Sequence, residues 1–186
     1  MRNPIILCLI AGWFGLAVLP WYGLVESFWV FGWLMHVADR TTAPAILQAA
    51  LHGRVWLWPM FAALALPLIV ATRPHSDRTA ANVAILAGAI GFSWFFLQGF
   101  AIGLHGWNWA WLEAILGPVE PQPGAGYGAL VAVSACLFLF TTGLAGRGVM
   151  RGDVFVVSSI GVVAVSIAVF VFFPVATILG RAAVDS

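Results

Sequence analysis

Five long apolar runs dominate the chain, and nearly all its charge is confined to the segments between them. The runs cover residues 4–24, 55–72, 83–104, 127–145 and 154–179. Each reaches the roughly 17–25 residues that a helix needs to cross a hydrocarbon core. None contains a carboxylate or an arginine. They lack the strict alternation of barrel strands, and in lipid a helix satisfies every backbone group internally. The pattern predicts an all-α polytopic membrane protein in which residues 1–186 form one transmembrane helical domain of about five helices. The first run is read as an uncleaved anchor, because Pro20, Trp21 and Tyr22 make a poor small-residue cleavage site.

The connections complete the topology. Two are short, RPHSDRTAAN and GRGVMRGD, and turn neighbouring helices into antiparallel hairpins. Two are longer and fall on the opposite side. An N-terminus in the cytoplasm puts Arg2, Arg73, Arg78, Arg147 and Arg151 inside and Arg40, Arg54 and Arg181 outside, the orientation that the arginine bias of inner loops favours. The first outer loop contains TTAPAILQAALHG, with Thr41 or Thr42 as a helix cap, Pro44 in the first turn and Gly53 at the end. The second begins HGWNWAWLEAILGP, an amphipathic turn closing at Gly117 and Pro118. Short interfacial helices are expected in both.

Composition excludes a water-soluble domain. Apolar residues make up 62% and charged residues 8% of the chain, with a mean hydropathy of +1.01; soluble domains carry about a quarter charged residues. All eight cations are arginines, scattered without the basic stripe that nucleic-acid binding requires. Cys8 and Cys136 lie inside apolar runs and read as small packing residues.

Candidate chemistry is sparse. Trp107, Trp109 and Trp111, with Trp13, Trp21, Trp29, Trp33, Trp56 and Trp58, read as an interfacial aromatic belt. His36, His52 and His105 fall on the outer side and His75 on the inner side, with no ligand spacing among them. A haem- or metal-binding redox protein is the minor alternative they raise. Gln98 precedes a Gly99–Gly103 pair at GxxxG spacing, so these three are candidates for close helix packing. No Walker, HExxH or GxSxG motif is present, and no ionisable residue lies in an apolar run. The residues imply no enzyme, no cofactor and no metal; a stand-alone membrane scaffold or assembly protein fits them.

Taken in order, LPWYGL (19–24), QGFAIGLHGW (98–107), GYGAL (126–130), TTGLAGRG (141–148), RGDVFVVSSIGVV (151–163) and VFFPVATIL (171–179) resemble one family. It is the N-terminal membrane region of large bacterial ABC-importer permeases of the iron(III) transport type. The resemblance implies an inner-membrane location and import of iron(III) or a related metal complex. It also implies three partners: a cytoplasmic ABC ATPase subunit, a periplasmic substrate-binding protein and a core permease segment into which residues 169–186 lead. The family's ATPase-docking EAA loop has no counterpart here, since Glu113, Ala114 and Gly117 have the wrong spacing and lie on the outer side. No coupling or substrate residue is therefore carried over.

Overall fold

The computed structural model describes residues 3–24, 28–103, 106–119, 122, 124–172 and 175. Helices build nearly all of it. Among the described residues the sole strand pairing is a two-residue antiparallel ladder, β1 (Ile102–Gly103) with β2 (Gly106–Trp107).

Helix α1 (Pro4–Ala17) starts at Asn3, whose side-chain oxygen accepts from the Ile5 N–H while its amide donates to the carbonyls of Ala71 and Arg73. The helix stops well before the expected residue 24. Pro20 disfavours a helical conformation at Leu19 and has no N–H to donate. The chain continues in short bridges, Pro20 to Pro44 and Tyr22 to Ala125. Fourteen residues reach about 21 Å, less than a hydrocarbon core.

The first outer loop holds α2 (Ala45–Leu51). Its N-cap is Pro44 rather than a threonine; the Thr42 hydroxyl donates instead to the His36 carbonyl. Gly53 follows the helix in the left-handed region, at φ +66°.

The second apolar run is also not a uniform helix. A 3-10 turn (Val55–Leu57), α3 (Trp58–Ala65) and a 3-10 stretch (Leu66–Val70) follow one another. Pro59 and Pro67 sit at the starts of the last two, where a missing N–H is tolerated. The larger 3-10 rise lets these residues extend about 28 Å despite their number.

Helix α4 (Arg78–Ala101) begins earlier and ends earlier than the run 83–104 predicted. The Asp77 carboxylate caps it, accepting from the Thr79 and Ala80 N–H groups at 3.0 Å each. A short α5 (Ala110–Leu116) occupies the second outer loop. Helix α6 (Tyr127–Gly146) matches its run to within a residue. Helix α7 (Val154–Ile167) is capped by Asp153 and continues as a π-helical turn over Ala168–Phe172. The Pro174 kink expected of this run falls outside the described residues.

Three helices are thus long and apolar enough to cross a membrane, Arg78–Ala101, Tyr127–Gly146 and Val154–Val171. Two shorter apolar ones, Pro4–Ala17 and Val55–Val70, accompany them in place of the five uniform spans expected.

The packing centre is α6, which lies against α4 and α1. The α4 face at this contact is a ladder of small residues, Ala80, Ala84, Ala87, Gly88 and Gly91, all buried. At Gly88 an added Cβ would meet the Cys136 carbonyl oxygen at 2.5 Å and the Phe140 N–H group. The two backbones touch there, as membrane helices do where small residues permit it. Gly15 of α1 faces Gly128 of α6 in the same manner.

Polar groups segregate to the two ends of this bundle. Asn3, Arg73, Asp77, Asn82 and Arg147 gather at one, linked by the Asn3 bonds and by an Arg147 to Asn82 hydrogen bond of 3.2 Å.

Candidate functional site

The opposite end carries the buried side chains of Gln48, Arg54, Gln98 and Gln122. Two clusters meet at Tyr22, which is held by the Tyr22–Ala125 bridge and is 2% exposed. In the first cluster, Arg54 is 4% exposed and its guanidinium carbon lies 4.2 Å from the Tyr22 ring centroid. A cation desolvated over an aromatic face gains up to about 2 kcal/mol from the ring quadrupole. Arg54 Nε and Nη1, Trp56 Nε1 and the Tyr22 hydroxyl are buried together, with the hydroxyl facing Arg54 and Trp56.

The second cluster surrounds a cavity of about 530 Å³. Trp21, Tyr22, Phe95 and Phe96 supply aromatic wall; Gln98, Asn108 and Gln122 supply polar groups. Its scaffold is explicit. Trp21 N–H donates to Ala43 O, Gly23 N–H donates to Gly124 O, and Gln122 N–H donates to Gly103 O at 3.1 Å. These bonds tie the stretch after α1, the end of α4 and the approach to α6 into one frame. Gln98 is 6% and Gln122 8% exposed, and Gln98 Oε1 and Gln122 Nε2 have no partner among the described residues.

The three residues expected to form a packing face are divided between elements. Gln98 and Gly99 lie in the last turn of α4, whereas Gly103 is beyond the helix, in β1. The i, i+4 face expected of the two glycines therefore does not form. An added Cβ at Gly99 would meet nothing within 4 Å, because Gly99 lines the cavity. At Gly103 it would meet Asn108 Oδ1 at 2.8 Å. Asn108 folds back there to close α4, donating its backbone N–H to Ala101 O and its side-chain amide to Phe100 O at 2.8 Å. Gly103 makes room for a helix cap, not for another helix. The small-residue packing face belongs instead to Ala80, Ala84 and Gly88, whose four-residue spacing was readable in the sequence.

The tryptophans also divide. Trp107 Nε1 donates to Gly117 O at 2.8 Å, fastening the hairpin to the end of α5. Trp109 and Trp111 stack on each other with centroids 6.2 Å apart and remain exposed. Trp29 and Trp58 are exposed as well, but Trp21 and Trp33 are core residues, Trp21 at 1% exposure. Their expected place in the interfacial aromatic belt is corrected by this burial: the bridge at Pro20 turns Trp21 inward against Phe95, with centroids 6.4 Å apart.

Of the histidines, His36 Nδ1 contacts Gly32 O at 3.2 Å and His52 Nε2 contacts Ala38 O at 2.9 Å. Each binds loop backbone; His105 lies outside the described residues. Among the described residues no three His, Cys, Asp or Glu side chains are grouped as a metal ion would require. Cys136 is buried and Cys8 partly so, both as free thiols.

No protein-family model matches the chain, and neither a curated protein nor a solved structure matches it. What fold and composition together define is a class: a multi-pass helical membrane protein with an aromatic, amide-lined cavity at one end.

Proposed function

We propose that this chain is the N-terminal membrane part of an ABC-importer permease in a bacterial inner membrane, a non-catalytic unit serving uptake of iron(III) or a related metal complex. The observation that carries the proposal is the state of α7. Only 6% of its spanning window Val154–Val171 is buried, although α4 and α6 bury 33% and 61% of theirs. Its main contacts are with α6. A charge-free, predominantly apolar helix held along one edge leaves most of its circumference for lipid or for further membrane helices. The ordered resemblance supports the same reading, since two of its segments, RGDVFVVSSIGVV and VFFPVATIL, cover α7 and the sequence that follows it.

In this reading the chain crosses the membrane five times. The end bearing Asn3, Arg73, Asp77 and Arg147 faces the cytoplasm, where an ABC ATPase works. The end bearing the cavity faces the side from which a periplasmic binding protein delivers substrate. ATPase docking belongs to the core segment, because the EAA loop is not in this chain.

Affinity-tagged chain, coexpressed with the ATPase and core permease subunits from the same genome, provides the test. Extraction in mild detergent should recover all three together. Recovery of the tagged chain alone, while the other two copurify with each other, would overturn the proposal.

A further inference from the structure

We infer that the groove between α4 and α7, floored by α6, holds one acyl chain of an anionic phospholipid whose headgroup phosphate sits on Arg147 and Arg151. The inference stands on this groove and is independent of the transport reading. It holds whichever side of the membrane the end bearing Asn3, Arg73 and Arg147 faces.

The groove follows from how α7 is attached. Gly161 brings α7 onto α6, since an added Cβ there would meet Thr141 Cγ2 at 2.7 Å, and the Thr141–Ser158 hydrogen bond fixes the same contact. Helix α7 thus rests chiefly on α6, and a cleft of about 360 Å³ stays open between it and α4. Ala89 and Phe92 of α4, Leu137 and Phe140 of α6, and Val157 and Ala164 of α7 line this cleft. Its polar lining residues are Ser93 and Thr141, and the Thr141 hydroxyl is already paired. Such walls offer water few partners, and an empty groove forfeits the dispersion contacts of its lining. A hydrocarbon chain supplies them.

Depth selects a lipid tail. The α7 lining runs from Val157 to Val165, about 12 Å of helix rise, and Val149 and Met150 extend the groove to the connection between α6 and α7. One leaflet of hydrocarbon is about 15 Å deep. The groove therefore opens at the polar end of the bundle and stops near mid-membrane. That is the reach of a single tail and falls short of a spanning partner helix.

Charge selects the headgroup. Asn82, Ala89 and Ser93 share a face of α4 at spacings of seven and four residues, and Leu144 and Arg147 share one of α6 at a spacing of three. Arg147 donates to Asn82 Oδ1 at 3.2 Å, which puts its guanidinium in line with both walls at the polar end of the groove. Arg151 directly follows Met150, and both hold left-handed backbone, at φ +59° and +48°. This conformation is uncommon for residues with side chains. The turn it makes lays Met150 on the groove and leaves Arg151 exposed beside it. Among the described residues of this end, Arg73, Arg78, Arg147 and Arg151 stand against Asp77 and Asp153, and each carboxylate is engaged as a helix cap. Excess cations at a membrane surface attract an anionic headgroup.

The test uses the full purified chain in phosphatidylcholine vesicles doped with a trace of phosphatidylglycerol bearing a mid-chain diazirine. Adducts are mapped by mass spectrometry after photolysis. Labelling of the segments holding Phe92 and Phe140 should exceed that of Ile10 on the exposed face of α1, and the matching phosphatidylcholine probe should show no such excess. Arg147→Gln and Arg151→Gln should each lower the excess about fivefold, whereas Arg147→Lys should keep it. Glutamine at 147 retains a donor for Asn82, so the loss reports charge. Ala164→Phe, at an exposed position on the groove, fills the space and should abolish the excess while labelling at Ile10 stays unchanged. An equal excess from the phosphatidylcholine probe, full labelling of the double glutamine variant, or an excess that survives Ala164→Phe would each overturn the inference.

Discussion

Asp77 controls the start of the longest helix with a single carboxylate. The Ala80 N–H, the Thr79 N–H and the neighbouring Arg73 guanidinium together hold its pKa below the ordinary value of 3.8. A lowered pKa in the folded chain means that the capping contribution is fully present above the unfolded value. It is lost as pH falls through the folded value. Stability in detergent should therefore drop on acidification below about pH 4. Asp77→Ala should be less stable than the parent at neutral pH and lack this part of the acid dependence, whereas Asp77→Asn should keep the cap and lose only the pH response. Thermal unfolding at a series of pH values measures both. The Thr141 hydroxyl pairs with the Ser158 hydroxyl at 2.9 Å and joins α6 to α7. Thr141→Val should loosen that joint by about 0.6 kcal/mol, the usual worth of such a bond between membrane helices, and Ser158→Ala should add little more. A double-mutant cycle on unfolding in detergent checks the coupling. At this scale the sequence marks Gln98 and its neighbours but not the end of the helix between Gly99 and Gly103. A glutamine in an apolar run is visible as an anomaly, but Gly103 changes element because Asn108, five residues on, folds back over the end of α4.

The elements whose apolar runs were free of proline were the legible ones. Helix α6 coincides with its run because nothing interrupts Tyr127–Gly146. Proline altered two of the other three; Pro174 of the fifth run lies outside the described residues. Pro20 ends the first run in bridges, and Pro59 and Pro67 break the second into 3-10 and α segments. Run length and hydropathy do not register that change of geometry, because the residues remain apolar. The α4–α6 contact was visible in principle as small residues four apart, yet the eye goes to paired glycines first. Two substitutions separate these two sets. Gly88→Ala places a methyl group onto the α6 backbone and should destabilise the fold by about 1–3 kcal/mol. Gly99→Ala faces open cavity and should be neutral or slightly stabilising. Comparing their unfolding midpoints decides which glycine is a packing residue.

At the scale of the whole molecule, the bundle has a polar, hydrogen-bonded end, a cavity-bearing end, and one helix left largely uncovered. Membrane class and helical architecture were legible because the bilayer imposes them on composition directly. The cavity was not, since it forms where three segments far apart in the chain meet, and no local pattern of residues encodes their meeting. The proposed function makes assembly the central claim at this scale: on that proposal, α7 would be the surface through which the chain joins a permease core. A photocrosslinking residue introduced at Phe155 or Ile160, both exposed on α7, tests it most directly in membranes containing the core segment and the ATPase. The account predicts a crosslinked product between this chain and the core segment from α7, and none from Ile10 on the outward face of α1. Equal crosslinking from α1, or none from α7 while the complex is assembled around it, would contradict the account.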